Sequence, residues 1–208
     1  MRTYFPKPGN MLYPVPAVMV TVAGSAAVPA PDMKGAESIA QRDNIITVAW
    51  AGTVCSDPPM VSISVRKNRF SHPMLMQQME FAVNLVNEPL LRACDYCGCT
   101  TGAKVDKFER CRLTREKAAM ISAPLIAESP VSLECRVTQV IELGSHDLFL
   151  ARVLAVKADE RYMDEKNVFH LEKAGLIAYS HGRYHALGDI LGTFGYSVRR
   201  APRKKRKQ

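Results

Sequence analysis

Residues 44–59 read Asn-Ile-Ile-Thr-Val-Ala-Trp-Ala-Gly-Thr-Val-Cys-Ser-Asp-Pro-Pro, and this stretch predicts the kind of fold the chain adopts. Its run of Ile, Thr, Val and Trp over 45–50 is typical of a buried β-strand. The Ser-Asp-Pro-Pro sequence at 56–59 is a strong turn signal, because Asp and Pro favour the backbone angles of tight turns. Residues 61–65 then alternate Val or Ile with Ser, which predicts a half-buried strand.

The same pattern of short strands and turns extends through the rest of the chain. Further strands are predicted over 18–22, 81–86, 131–143 and 148–158. Residues 144–147, Gly-Ser-His-Asp, form the turn of a hairpin between the last two. Helices are predicted over 74–79, from Glu88-Pro89 and over 164–174, whereas 96–108 is predicted to be a loop.

Many strands and few short helices favour a mainly β fold, a small β-barrel with helical decoration. Long alternation of strands and helices is absent from the sequence, as are a Gly-x-Gly-x-x-Gly dinucleotide motif and a phosphate-binding P-loop. A doubly wound nucleotide-binding fold is therefore not expected.

Composition is that of one globular domain. The chain has 208 residues, of which 47% are hydrophobic and 23% charged, so disorder over the whole chain and collagen-like repeats are excluded. The net charge of +8 is misleading, because seven basic residues lie between Arg199 and Lys207; without them 21 basic residues face 20 acidic ones. We expect a single domain over 1–198, a disordered basic tail over 199–208, and no nucleic-acid partner.

The N-terminal region resembles a signal peptide or membrane span only superficially. Residues 11–31 are uncharged and follow Arg2 and Lys7, but they contain four prolines, and their apolar part is too short to span a bilayer. The six cysteines are interpreted as reduced thiols, because a chain of this length can bury a core without disulfides. We therefore expect a soluble, cytoplasmic protein without membrane contact.

Two constellations could bind a ligand. Small or hydroxylic residues along 44–59 would let a flat ligand approach the strand backbone, and the basic turn at 66–72 offers the cations and hydroxyls that bind phosphate. The second constellation spans 97–108, where two glycines precede a Lys-Asp-Lys series. The alternative for both is an ordinary solvated surface.

The cysteines leave three alternatives open. Cys94, Cys97, Cys99 and Cys111 are enough in number for a zinc ion, although their spacing is poor. Cys94 and Cys97 could instead form a redox pair, or all could be ordinary free thiols.

These motifs together resemble the flavin reductase-like family, and specifically its flavoredoxin-like branch. The resemblance rests on residues 44–59, on Arg69-x-Ser71-His72, on Phe81-Ala-Val-Asn84 and on Gly102-x-x-x-Asp106-Lys107-Phe108, in that order. The 133–135 strand, the 144–150 hairpin and Leu187-Gly188 extend it over roughly 14–196. It implies a split β-barrel that binds FMN and forms a homodimer, with the flavin near the subunit interface.

The resemblance also assigns cofactor-binding positions. Residues expected along the flavin ring and ribityl chain are Thr47, Val48, Ala49, Trp50 and Thr53. Arg69, Ser71 and His72 are expected near the phosphate, and Ala82 and Asn84 beside the ring. Lys104, Asp106, Lys107 and Phe108 are expected to close the pocket, with Lys107 stabilising the reduced flavin or contacting the phosphate.

One position departs from the family pattern. Reductases that use NADH often carry Gly-Asp-His in the hairpin turn, whereas this chain has Gly144-Ser145-His146, which keeps the candidate catalytic His146 but not the acid. Two functions therefore stay open: an oxidoreductase that takes electrons from NAD(P)H, and an electron-transfer protein between redox partner proteins.

Overall fold

The structure is a computed structural model that describes residues 4–7, 9–24 and 42–199. Its strands are β1 (Val15–Pro16), β2 (Val18–Val22), β3 (Asn44–Val48), β4 (Ala51–Ser56), β5 (Pro59–Arg66), β6 (Glu80–Leu85), β7 (Arg115–Glu116), β8 (Leu125–Ile126), β9 (Val131–Glu142), β10 (His146–Ala158), β11 (Ile177–Ser180) and β12 (Arg183–Ala186). Its α-helices are α1 (Ser71–Gln78), α2 (Leu91–Cys99) and α3 (Lys107–Cys111). Short 3₁₀ turns lie at Glu88–Leu90, Glu160–Tyr162, Leu171–Ala174 and Tyr196–Val198.

Seven strands form one antiparallel sheet in the order β3-β2-β6-β9-β10-β5-β4. β3 and β4 are therefore the two edges of the sheet, yet only Ala49 and Trp50 separate them in the chain. The three Cα–Cα steps from Val48 to Ala51 span at most about 11 Å, so the sheet must curl until its edges meet. The Ser64 backbone N–H donates to the Trp50 carbonyl at 2.9 Å, which continues the β4–β5 pairing into the link. We call the junction of β3 and β4 at Ala49-Trp50 the seam.

The predicted mainly β architecture is confirmed, and both faces of its central strands are buried. On β2, Val18, Val20 and Val22 pack into the barrel interior, where they meet side chains of α1. Met19 faces outward, together with Ile45 of β3, and is covered by α2 and α3. Burial on both faces explains why these strands are apolar at nearly every position.

The prediction of a loop over 96–108 was wrong at its start and its end, because α2 continues to Cys99 and α3 begins at Lys107. Gly98 and Gly102 serve close approach rather than a turn with positive φ. A Cβ at Gly98 would lie 3.2 Å from Thr47 Cβ, and one at Gly102 would lie 2.2 Å from Asn44 Oδ1. The glycines let these segments pack directly on β3.

The helix predicted over 164–174 is also wrong, since only Leu171–Ala174 forms a 3₁₀ turn. The Asp164 carboxylate accepts the backbone N–H groups of Lys166 and Val168 at 2.8 and 2.9 Å, and Asn167 takes a left-handed conformation at φ 57°. These local bonds compete with helical ones.

The predicted disorder of the tail beyond Arg199 lies outside the described residues. Within the described ranges, no helix has the length and apolarity needed to cross a bilayer.

Asn84 joins β6 to its neighbours through a fully satisfied side chain. Its Nδ2 donates to the Met19 carbonyl at 3.1 Å and to Thr21 Oγ1 at 3.3 Å. Its Oδ1 accepts from the Ile126 backbone N–H at 3.0 Å and from Ser132 Oγ at 2.8 Å. The side chain is completely buried, so it serves the fold.

Replacing Asn84 with Ala should destabilise the protein strongly. The change leaves several buried donors and acceptors without partners, at about 1–3 kcal/mol for each group left unsatisfied. Urea unfolding of Asn84→Ala would measure the loss, with the exposed Asn68→Ala as the control, expected within about 0.5 kcal/mol of the wild type. Equal stability of the two variants would contradict this role.

Candidate functional site

A cleft of about 140 Å³ lies at the seam. It is lined by Ile46, Thr47, Val48, Ala49, Trp50, Ser64, Val65, Arg66, Arg69 and His146. The curl of the sheet creates it, because the end of β3 and the seam link face the end of β5 there. Six predicted site residues are thereby brought together: Thr47, Val48, Ala49, Trp50, Arg69 and His146.

Three basic side chains form one corner of the seam cleft. Arg66 ends β5 and is paired with His146 at the start of β10, while Arg69 follows in the turn before α1. Burial lowers the pKa of His146, and the charges of Arg66 and Arg69 lower it further. The corner therefore holds a positive potential, which disfavours a third cation and favours an anion.

The aromatic wall of the seam cleft is Trp50. Its ring lies 6.1 Å from that of Tyr13, which in turn lies 4.9 Å from His181, measured between ring centroids. Trp50 is the one tryptophan of the chain, so its fluorescence reports on this cleft alone.

Ser71 and His72 do not line the seam cleft, although they follow Arg69. Ser71 Oγ accepts a 2.7 Å hydrogen bond from Asn44 Nδ2 and is buried. His72 Nε2 lies 2.7 Å from Asp147 Oδ2, and Lys67 Nζ lies 3.5 Å from Asp147 Oδ1. Burial acts to raise the pKa of Asp147, but the bond from His72 and the charge of Lys67 outweigh it and hold the pKa below its usual value.

Lys107 lies behind β3 rather than in the cleft. Its ammonium donates to the carbonyls of Ile45 at 2.6 Å and Cys97 at 2.7 Å, and the side chain is buried. Burial lowers the pKa of Lys107 to about 8; neighbouring Cys97 acts in the opposite direction, and the charge of Arg69 lowers it further. Lys107 therefore links α3 to β3 and α2 as a buried cation.

The remaining predicted residues do not reach the seam cleft. Ala82 and Asn84 are fully buried on β6, and Thr53 is exposed on the edge strand β4. Lys104 is exposed, Asp106 caps α3 by accepting the Glu109 backbone N–H, and Phe108 is buried beneath the Arg115 guanidinium, 4.3 Å from its ring centroid. The cofactor roles expected for these residues stay predictions.

The cysteine alternatives can be compared with the geometry. Cys94 and Cys97 face β3 inside the core, and burial raises the pKa of Cys94 to about 11 and that of Cys97 higher still. A redox-active thiol needs the opposite shift. No group of three or more His, Cys, Asp or Glu suited to a metal occurs in the part of the chain that the structure describes.

Sequence reasoning placed Arg66 in the basic turn at 66–72 without assigning it a cofactor position, and it missed Ser64 as a cleft residue and Asp147 as the partner of His72. Ser64 could have been found from alternation along β5, since it lies on the same face as Arg66, two residues away. The Asp147–His72 contact joins segments 75 residues apart, and no local pattern indicates it.

Comparison with known proteins identifies the chain. The model of the flavin reductase like domain matches residues 11–188. The chain belongs to this family. An FMN reductase (NADH) RutF of Cronobacter sakazakii is 26% identical over 140 residues, which cover 66% of this chain and 75% of that protein.

Solved structures share the fold. Flavoredoxin of Desulfovibrio vulgaris superposes with a TM-score of 0.82 at 24% identity, over 96% of this chain and all of that one. An FMN-binding protein of Thermus thermophilus superposes with a TM-score of 0.68 at 25% identity, over 89% of this chain and 94% of that one. The predicted split β-barrel with a few short helices is therefore confirmed.

The buried Lys107 should make folding stability depend on alkaline pH. Its pKa is about 8 in the folded chain and about 10.4 when unfolded. Between these values the unfolded state binds more protons, so this group makes stability rise with pH, by at most about 3 kcal/mol. The unfolding free energy of wild type minus that of Lys107→Met should accordingly become more positive from pH 8 to 10.

The matched control is Lys104→Met, which removes an exposed lysine three residues away. Its side chain is in water in both states, so its difference from wild type should stay level over the same range. A level difference for Lys107→Met as well would mean that the ammonium is not buried as described.

Proposed function

We propose that the chain is a cytoplasmic, homodimeric FMN-binding oxidoreductase, built as a single flavin-binding domain over 1–198. The observation that carries the proposal is the seam cleft, which combines open strand backbone, an aromatic wall and a corner of three basic groups. It does so in a chain of the flavin reductase-like family, whose relatives include an FMN reductase and an FMN-binding protein. The six free thiols suit a reducing compartment.

The cleft residues fit FMN better than FAD. Strand backbone at 47–49 and the Trp50 ring offer hydrogen bonds and an apolar surface to a flat ring system. Arg66 and Arg69 offer guanidinium donors to one phosphate, with His146 as a third donor. One compact basic corner suits a terminal monophosphate. Among the described cleft residues there is no second basic group of this kind that could hold the additional phosphate of FAD.

The protein's part in the chemistry is to bind, orient and shield. Bound flavin would supply the hydride and electron transfer. The basic corner would anchor the phosphate and so set the position of the ring along β3. Lys107 bonds β3 on the side away from the cleft and places a positive charge behind the strand. We expect it to act on the cofactor through this charge rather than by direct contact.

The proposed homodimer is supported by what one protomer leaves incomplete. A cleft of about 140 Å³ is smaller than the roughly 300–1,000 Å³ of ordinary ligand pockets. Large apolar side chains between 187 and 198 are 62–104% exposed: Leu187, Ile190, Leu191, Phe194, Tyr196 and Val198. A contiguous apolar segment of this kind marks an interaction surface. We infer that a second copy covers it and completes the flavin site.

Arg69→Ala should weaken FMN binding roughly tenfold to a hundredfold, because a charge-assisted hydrogen bond contributes about 1.5–3 kcal/mol. Quenching of Trp50 fluorescence by added FMN measures the affinity. Arg152→Ala, which removes an exposed arginine from β10, is the control and should bind like wild type. Equal affinities of all three proteins would mean that the phosphate binds elsewhere.

Charged residues in the C-terminal segment should separate the subunits. Leu191→Asp with Phe194→Asp is expected to give a monomer with weakened FMN binding, because the charges cannot be buried at an interface. Light scattering after size-exclusion chromatography reports the mass. Val156→Asp, at an apolar position 61% exposed on β10, should remain dimeric. A monomeric wild type would refute the dimer.

The electron donor is tested through His146. Ser145 Oγ lies 2.8 Å from His146 Nδ1, which orients the imidazole at the cleft. We expect His146→Ala, saturated with FMN, to be bleached more slowly by NADH or NADPH under anaerobic conditions, with a smaller loss of FMN affinity than Arg69→Ala. Equal bleaching rates would remove His146 from the donor site. A wild type that neither nucleotide bleaches would favour the electron-transfer alternative, with a redox protein as donor.

A further inference from the structure

A second cavity, larger than the seam cleft, lies apart from it. It measures about 1210 Å³ and is bounded by α2, the end of α3, residues 127–128 and the 3₁₀ turn at Glu160–Tyr162. Helix α2 separates the two sites, because Cys94 and Cys97 pack toward β3 while Asp95 and Tyr96 face the cavity. The cavity shares no lining residue with the seam cleft.

Four guanidinium groups line this cavity: Arg92, Arg110, Arg112 and Arg161. Arg161 is bonded to Asp159 through Nε at 2.8 Å. The other three make no ion pair with any residue in the described ranges. Helix α2, the end of α3 and the turn at Glu160–Tyr162 are distant in sequence, and each contributes arginine side chains to this cavity.

Two acidic residues line the cavity against four arginines, and neither forms an ion pair with them. Glu128 accepts the Thr114 backbone N–H with both oxygens, at 3.0 and 3.1 Å. Asp95 accepts the Tyr184 hydroxyl at 3.0 Å. The cavity therefore keeps unpaired guanidinium donors, which favour phosphate over other anions because the planar fork can bind two oxygens at once.

Aromatic rings stand beside the guanidinium groups. Tyr96 follows Arg92 by four residues on α2, so the two side chains share one helix face. The Arg161 guanidinium lies 6.0 Å from the centroid of the Tyr162 ring. Phosphate-binding cations next to stacking surfaces are what a nucleotide needs.

Arg112 occupies a backbone position that glycine would fill at less cost. It is the C-cap of α3 and has φ 56°, in the left-handed region. The less favourable backbone conformation of Arg112, which lines the cavity, supports a role for its guanidinium.

We propose that this cavity binds the adenosine diphosphate group of a nucleotide, with the arginines holding the phosphates and the tyrosines flanking the base. The space is large enough for a free adenine nucleotide or for the ADP half of a pyridine dinucleotide. The proposal does not depend on the function assigned to the seam cleft.

The test is calorimetric titration of the FMN-treated full chain with ADP, comparing wild type with Arg112→Gly and Arg110→Ala. Each variant should bind ADP about tenfold more weakly, because each loses one charge-assisted contact. Arg112→Gly should keep or raise the melting temperature, because glycine suits the left-handed backbone. Quenching of Trp50 by FMN should be unchanged in both, and Arg152→Ala should bind ADP like wild type.

Competition identifies the source of the ADP group. Displacement of ADP by NADPH at lower concentration than by ATP would assign the site to a pyridine dinucleotide, and the reverse order would assign it to an adenine nucleotide. The proposal fails if ADP does not bind at millimolar concentration. It also fails if adenosine binds as tightly as ADP, or if Arg152→Ala weakens ADP binding as much as the cavity variants do.

Discussion

The two-residue link between β3 and β4 is the constraint on which the rest of the structure depends. These strands are the opposite edges of a seven-stranded sheet, and a link as short as Ala49-Trp50 can join them only if the sheet closes on itself. Closure encloses the barrel interior and brings the two edge strands, β3 and β4, together at the seam. The seam backbone therefore lines the cleft, and Trp50 is held there by the covalent connection itself.

The same strand also explains the electrostatics behind the site. Because β3 is buried on both faces, its outer face must be covered, and α2 and α3 cover it through Cys94, Cys97 and Phe108. Lys107 is carried into this layer, where it bonds the Ile45 and Cys97 carbonyls. A cation is thus fixed behind the strand while Arg66 and Arg69 lie on its cleft side, so positive charge lies on both sides of β3.

Much of this could be predicted from the sequence, because the signals are local. Strand periodicity located β2, β3, β5, β6, β9 and β10, and the hairpin turn at 144–147 needed only a small correction, since β10 begins at His146. The last turn of helix α2 was predicted as a loop because Gly98 is typical of loops, whereas this glycine allows close packing on Thr47, a residue 51 positions away. Asn84 and Ser71 were assigned to the ligand by resemblance. Both are used for internal hydrogen bonds, which only the packed structure reveals.

The central claim is that the seam cleft is one half of an FMN site, and the ligand carried by the purified protein tests it most directly. Heat release followed by chromatography, with the flavin quantified against protein after incubation with both FMN and FAD, gives the identity and the stoichiometry. The account predicts FMN, non-covalently bound, at one molecule per protomer. Recovery of FAD alone, or of no flavin after reconstitution, would contradict it.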